Sequence, residues 1–310
     1  MKLKTGAQVK MPGGILPESI VPKDLEEATD LALESGAGNF TFSKDRWRGP
    51  SLNMTKILLG VMLLFAIWFI TAEVVTSIKG VVFPRPVDTL YRLGELLGGQ
   101  ILYGESIYAH VAASLYRWAI GYALAVGAGI LIGIALGISR RGHDVGIIPV
   151  YLIQMIPGLA WVPIAMLIFG LGDVATIFMI LMTALPPIAI STSSGIRGVQ
   201  PNMIKAAEMT GASRPRIFFR ILLPASSISV INGLRIGLAN GWRVLIAAEM
   251  VVGVALGLGY SIFQSRWSLD FEAAFVCIVI ICIIGLIIEK VFFITLEDRM
   301  RSRMGLEGSE

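Results

Sequence analysis

RGVQPNMIKAAEMTGASRPRIFFRILLP, residues 197–224, is a polar and basic island between two long apolar runs. It reads as two short helices joined by a bend. Pro201 suits a helical first turn, where its missing N–H costs nothing, and Met203 to Thr210 keep helical spacing. Gly211 falls just past that run, where a helix end often needs φ > 0. Ser213 is placed to cap a second helix with Pro215 in its first turn, and Pro224 marks the entry to the next apolar run. An ordinary loop between membrane spans would share this polarity. The spacing of Ala206-Ala207, Gly211 and Ile221-x-Leu223-Pro224 is what such a loop does not require.

The runs on either side set the class of protein. Of 310 residues, 55% are hydrophobic and 15% charged, with mean hydropathy +0.74. Globular chains carry about a quarter charged residues, so a soluble fold could not bury this much apolar surface. Windows of about 20 apolar residues, the length a bilayer core needs, place six spans near 52–72, 112–138, 145–169, 174–191, 226–252 and 273–296. Cys277 and Cys282 share the last run and project differently from a helix, so they read as core thiols and not as a disulfide or metal pair. No metal-ligand set, cleavable signal peptide, nucleic-acid patch or G-x-x-x-x-G-K-[ST] phosphate loop is present in the sequence.

Residues 1–50 form a mixed-charge extension with one amphipathic stretch, 22–33, whose acidic first turn favours a helix. Between the first two spans, Phe83-Pro-Arg-Pro reads as extended and 87–98 as an amphipathic helix on the membrane surface. Gly129, Gly133 and Gly137 recur every four residues, which predicts a face where another helix backbone approaches closely. Pro149, Pro157-Gly158 and Pro163 interrupt the third span, and Pro186-Pro187 are expected to break the fourth. Irregular backbone at membrane depth needs cover from protein or a water-filled cavity. The third span is therefore a candidate pathway wall, with Gln154, Pro157 and Trp161 in it.

The fifth span is the most polar. Asn232, Arg235, Trp242, Arg243 and Glu249 fall within about 120° of one helical face. A charge at mid-bilayer costs roughly 2.5–3.5 kcal/mol on insertion scales, so this face points inward. Two readings stand side by side. One is an internal ion pair that only fixes packing; the other is a polar stripe beside a transport path. Glu249 and Arg235 are too far apart to pair on one helix, so Glu249 needs a partner on another helix or copy, leaving Arg243 the freer cation.

Basic residues predict the orientation. Arg140-Arg141, the 197–224 island and Arg299, Arg301 and Arg303 share one side, which the positive-inside rule makes cytoplasmic together with both termini.

With these motifs in order, the island resembles the cytoplasmic "EAA" loop of ABC-importer permeases, with Lys205 standing where that loop has its Glu. Ile156-Pro-Gly-Leu-Ala-Trp-Val-Pro-Ile-Ala, Phe169-Gly-Leu-Gly, Ile196-Arg-Gly-Val, Gly233-Leu-Arg, Ala247-Ala-Glu-Met and Gly257-Leu-Gly look like nitrate/sulfonate/taurine-type members. The resemblance spans about 84–303. It implies an all-α bundle of the type I ABC importer kind, with short cytoplasmic coupling helices. The permease domain would be 51–303, with 304–310 as a tail. It implies that Lys205, Ala206, Ala207, Glu208, Gly211, Ala212, Pro215 and Phe218 couple to an ATPase. The partners implied are ATP-binding cassette subunits, which bind the ATP and Mg, an external substrate-binding protein, and a second permease copy in the cell (inner) membrane. An intramembrane protease is disfavoured, because Thr192-Ser193-Ser194-Gly195 lacks the first Gly of a nucleophile motif and His110 and His143 sit near span edges. A stand-alone channel or secondary transporter is the alternative, and it leaves the island unexplained.

Overall fold

A computed structural model describes residues 54–80 and 83–290. The amphipathic stretch at 22–33, both tails and Arg299, Arg301 and Arg303 lie outside the described residues. The chain divides into two compact units, Met1–Met62 and Leu63–Glu310. Of the first, the described residues are the opening turns of helix α1 (Met54–Lys79), and the second holds the bundle.

The elements after α1 follow the apolar runs. Helix α2 (Pro86–Leu97) precedes a two-stranded hairpin, β1 (Ile101–Leu102) and β2 (Glu105–Ser106), and then α3 (Ile107–Ile138), α4 (Arg140–Met155) and α5 (Val162–Phe169). Helix α6 (Asp173–Arg197) leads into α7 (Pro201–Met209) and the short α8 (Arg214–Ile217). Next come α9 (Leu223–Val251), α10 (Leu258–Ser268) and α11 (Phe271–Glu289). Side-chain caps set three starts: Ser106 accepts from Ala109 N–H, Ser139 from Gly142 N–H, and Asp270 from Ala273 N–H. Each supplies an acceptor for an N–H that the helix cannot satisfy itself. Five described helices are long and apolar enough to cross a membrane, and a sixth crossing is available if the α4–α5 pair, bent by 100°, counts as one broken span.

Helix α6 is the centre of the bundle. Along one side, Gly121, Gly129, Gly133 and Gly137 of α3 lie on Ile180, Ile188, Thr192 and Ile196 in ascending order, so α3 and α6 run parallel. A Cβ at any of these glycines would come within 2.5–2.9 Å of α6 side-chain carbons. The expected packing face is therefore present, and it extends to Ala125, which is fully buried. On the other side Gly241, Gly237 and Gly233 of α9 meet Ile180, Ala184 and Ser191, which makes α9 antiparallel to α6. Arg140, Arg141, Arg197, Lys205, Arg214, Arg216 and Arg220 consequently share one end of the bundle, called here the basic end.

Several boundaries differ from the sequence expectation. Helix α6 runs unbroken through Pro186 and Pro187. Two ladder hydrogen bonds are lost there, but both prolines are buried between α3 and α9, whose packing holds the helix. The second helix of the island is not a separate piece, because a π-helical turn, Phe218–Leu222, joins α8 to α9. Ser213 occupies the N-cap position of α8 but makes no side-chain cap bond. The 73–111 connection begins with the end of α1 and carries α2, the hairpin and the start of α3, and the 253–271 loop contains α10.

Candidate functional site

At the basic end, α7 stands out from the bundle with no buried residue. Its C-terminus is a Schellman motif: Ala212 N–H donates to Ala207 O at 3.1 Å and Gly211 N–H to Glu208 O at 3.0 Å. The motif requires a left-handed residue between them, and Gly211 has φ +74°. This is the physical content of the Ala207-x(3)-Gly211 spacing. Ala207 and Ala212 are half-buried against the turn, while Lys205, Ala206, Glu208 and Pro215 are exposed. Phe218 is half-buried and edge-on to Phe219, whose centroid is 5.0 Å away. Met203, Met209 and Phe219 add exposed apolar surface. Among the described residues neither Lys205 nor Glu208 has an ion-pair partner. A groove of about 320 Å³, lined by Gly195, Gln200, Met203 and Ser229, lies between α6, the start of α7 and α9.

The residues expected along a pathway divide into two sets. Gln154 and Pro157 are exposed at the 100° bend between α4 and α5. Gly158, beside them, packs so tightly on Val244 that a Cβ would lie 2.5 Å from Val244 Cγ2. The bend thus adjoins α9 next to Arg243. Arg243 is exposed and held by its own helix, donating from Nε to Ala239 O and from Nη2 to Asn240 Oδ1, both at 2.9 Å. Among the described residues it has no carboxylate partner, whereas Arg235 donates to Glu289 of α11 at 2.7 Å. Asn232 is exposed on the same helix.

Trp161 of the third span is inside the protomer instead, and so are Trp242 and Glu249, which corrects the single inward stripe of the fifth span, since Asn232, Arg235 and Arg243 are exposed. Trp161 meets Phe178 edge-on at 6.1 Å, and Trp242 meets Trp118 edge-on at 5.9 Å. A helix side of about 120° is wide enough for its two edges to face different surroundings. The Trp242–Glu249 edge is covered by α3, α10 and α11; the Arg243–Asn232 edge is uncovered.

Glu249 is 2% exposed and is the hub of a polar network. Arg117 of α3, 4% exposed, donates from Nη1 to Glu249 Oε1 at 2.7 Å and from Nε to Asp173 Oδ1 of α6 at 2.7 Å. Ser114 donates to Glu249 Oε2 at 2.8 Å, and Gly259 N–H donates to the same oxygen at 2.9 Å. Leu258 N–H donates to Ser114 Oγ at 2.9 Å, and Gly257 N–H to His110 Nδ1 at 3.1 Å. Glu249, Ser114 and His110 therefore cap the first turn of α10 in place of a local cap. Because Nδ1 accepts, the His110 proton lies on Nε2, which donates to Leu102 O at 2.9 Å and ties in the hairpin. Gly257 (φ +152°) and Gly259 leave the room: a Cβ on the first would lie 2.6 Å from the Glu249 carboxylate, and on the second 2.7 Å from Glu249 Cβ.

Sequence reasoning had Glu249 and Gly257-Leu-Gly but missed Arg117, Asp173 and Ser114, and it set His110 aside as an edge residue. The signal available was charge matching. Arg117 is a cation inside an apolar run, and Glu249 is an anion inside another, each costly unless paired.

Residues 125–302 match the family described as binding-protein-dependent transport system inner membrane component. The taurine transport system permease protein of Escherichia coli is 32% identical over 247 residues, covering 79% of this chain and 88% of that protein. A nitrate import permease protein of Synechocystis is 29% identical over 240 residues, 75% of this chain and 84% of that one. The fold is similar to a chain of the MetNI methionine ABC transporter solved in inward facing conformations. That likeness has TM-score 0.52 and 20% identity, and it covers 62% of this chain and 94% of the solved one.

Proposed function

Because this chain belongs to the binding-protein-dependent transport system inner membrane components, we propose that it is the permease subunit of an ATP-driven importer for a small oxyanion or zwitterion of the nitrate, sulfonate or taurine kind. Two copies form the passage, an external binding protein delivers the solute, and separate ATPase subunits supply the energy. Helix α7 and the α8 corner are the coupling surface. Their exposed Met203, Met209 and Phe219, with charge at Lys205 and Glu208 that has no ion-pair partner among the described residues, suit a protein groove better than lipid or water. The basic end is cytoplasmic, and so are both termini. Closure of the ATPases on ATP pushes α7 and rocks the bundle between two states, by as much as ATP binding distinguishes them.

The observation that carries the substrate class is Arg243. It lies eight residues, about 12 Å, inside the end of α9 at Val251, within the run of membrane-span length. There it is exposed beside a broken span and lacks a carboxylate partner among the described residues. An uncovered cation at that depth belongs on a wet path or a copy interface and not against lipid. With Nε and one Nη2 hydrogen held by its own helix, three N–H donors remain to meet the planar or tetrahedral oxygens of nitrate and sulfonate. Arg243→Gln keeps hydrogen bonding and removes the charge. Uptake of the anion by the complete transporter should fall while assembly and basal ATP hydrolysis persist. Unchanged uptake would remove Arg243 from the path, and a complex that falls apart would make it structural. Co-purification with an ATPase subunit separates this function from a stand-alone channel or secondary transporter.

A further inference from the structure

Helix α2 presents three faces to three surroundings. At about 100° per residue, Pro86, Thr89 and Leu96 form one side, and all three are buried against the bundle. Asp88, Arg92 and Glu95 form a second, about 110° away. Val87, Leu90, Tyr91 and Leu97 form the third, and they are 67, 52, 74 and 47% exposed. An apolar face this exposed, beside a polar one, needs an explanation that the transport path does not give.

Two ion pairs to neighbouring helices fix the level of this helix. At its start, Arg85 pairs with Glu73 of α1 at 3.0 Å, and Trp68 Nε1 donates to Pro84 O at 3.0 Å. Just past its middle, Arg92 pairs with Glu95 and with Asp270, the N-cap of α11, both at 2.9 Å. Burial works against the Arg92 charge, but hydrogen bonds and attraction from Glu95 and Asp270 outweigh it and raise its pKa. Glu73 lies six residues, about 9 Å, before the end of α1. A charge costs most at mid-bilayer, so these pairs place the start of α2 and its Arg92 turn at the membrane–water boundary. The helix between them therefore runs along the membrane plane.

We propose that α2 is an interfacial anchor whose Val87–Leu90–Tyr91–Leu97 face rests in the headgroup–acyl boundary of the bilayer, with Asp88, Arg92 and Glu95 turned to water. Each face is about 120° from the next, as expected for a helix with protein beside it, lipid below and water above. The Tyr91 ring lies between the apolar and polar sides, where an aromatic body with a polar tip is favoured. Through Arg92 and Asp270 the anchor also fixes where α11 enters the membrane. This inference needs only that the chain spans a membrane and is independent of the substrate.

The test is spin labels at position 90 or 88 of the complete transporter in lipid nanodiscs. The label at 90 should collide more with dissolved oxygen than with a water-soluble nickel chelate, and the label at 88 should show the reverse. A nickel-accessible label at 90 overturns the proposal. So does one immobilised equally in nanodiscs and detergent, the sign of a second copy, or one shielded only when binding protein is added. Leu90→Trp and Asp88→Trp give a second measurement should a label disturb the fold. With bromine-labelled acyl chains, Leu90→Trp should lose more fluorescence than the parent, and Asp88→Trp should not. Equal quenching of both variants overturns the proposal as well.

Discussion

Arg117 reaches from α3 to Glu249 on α9, with Nη1 2.7 Å from Glu249 Oε1, and the same guanidinium holds Asp173 at the start of α6. Three helices that pack mainly through small and apolar residues are thus joined by charge at the end opposite the basic one. Asp173 keeps half of its side chain in contact with the surroundings, at 53% exposure, while Arg117 and Glu249 are sealed. The anion that must stay buried is therefore the one with most donors.

Removing one member of a buried pair leaves the other uncompensated, at a cost of about 3–5 kcal/mol. Arg117→Met should lower thermal stability in detergent by an amount of that order, and Glu249→Gln by less, since Ser114 still donates to it. The double variant should lose less than the sum of the two. Additive losses, measured as unfolding midpoints, would mean the two residues act separately.

The α3 glycines give a paired comparison within one turn. A Cβ on Gly129 would meet Ile188 Cβ at 2.9 Å, while Gly127 has nothing within 4 Å. Gly129→Leu should overpack the α3–α6 contact and destabilise by at least about 1–3 kcal/mol. Gly127→Leu should be close to neutral. Similar melting shifts in both would refute the parallel packing.

At the coupling corner the cost is in the backbone, because a Cβ on Gly211 meets nothing within 4 Å. Gly211→Asn, which tolerates φ > 0, should assemble with its ATPase nearly as the parent does. Gly211→Val should strain the Schellman turn by at least about 1 kcal/mol and weaken assembly or ATPase stimulation. Equal coupling in the two would show that the turn is not what the partner reads. Lys205→Glu provides the electrostatic counterpart: if Lys205 faces an acidic groove, pull-down of the ATPase should weaken, and stronger pull-down would indicate a basic one.

Orientation is checked by cysteines placed at Ser213 and Ser268, both exposed. An impermeant thiol reagent should reach position 213 only from the cytoplasmic side and position 268 only from outside. The opposite pattern would invert the membrane topology and with it the assignment of α7 as the coupling surface.

Local chemistry was legible in the sequence. Hydropathy windows located the membrane-length helices, because a span must be long and apolar whatever it packs against. Gly211 could be placed at a left-handed turn because a Schellman end needs a positive φ just past the helix, and four-residue glycine spacing marked the α3 face because helical periodicity puts those positions on one side. Only the tertiary structure decided which charges meet. Arg117 and Glu249 are 132 residues apart, and an ion pair carries no sequence periodicity, so nothing local announces it. The same holds for α6, whose two prolines predict a break that packing from both sides prevents. It holds for the fifth span too, where one helical face is divided between a sealed network and an uncovered arginine because different neighbours cover its two edges.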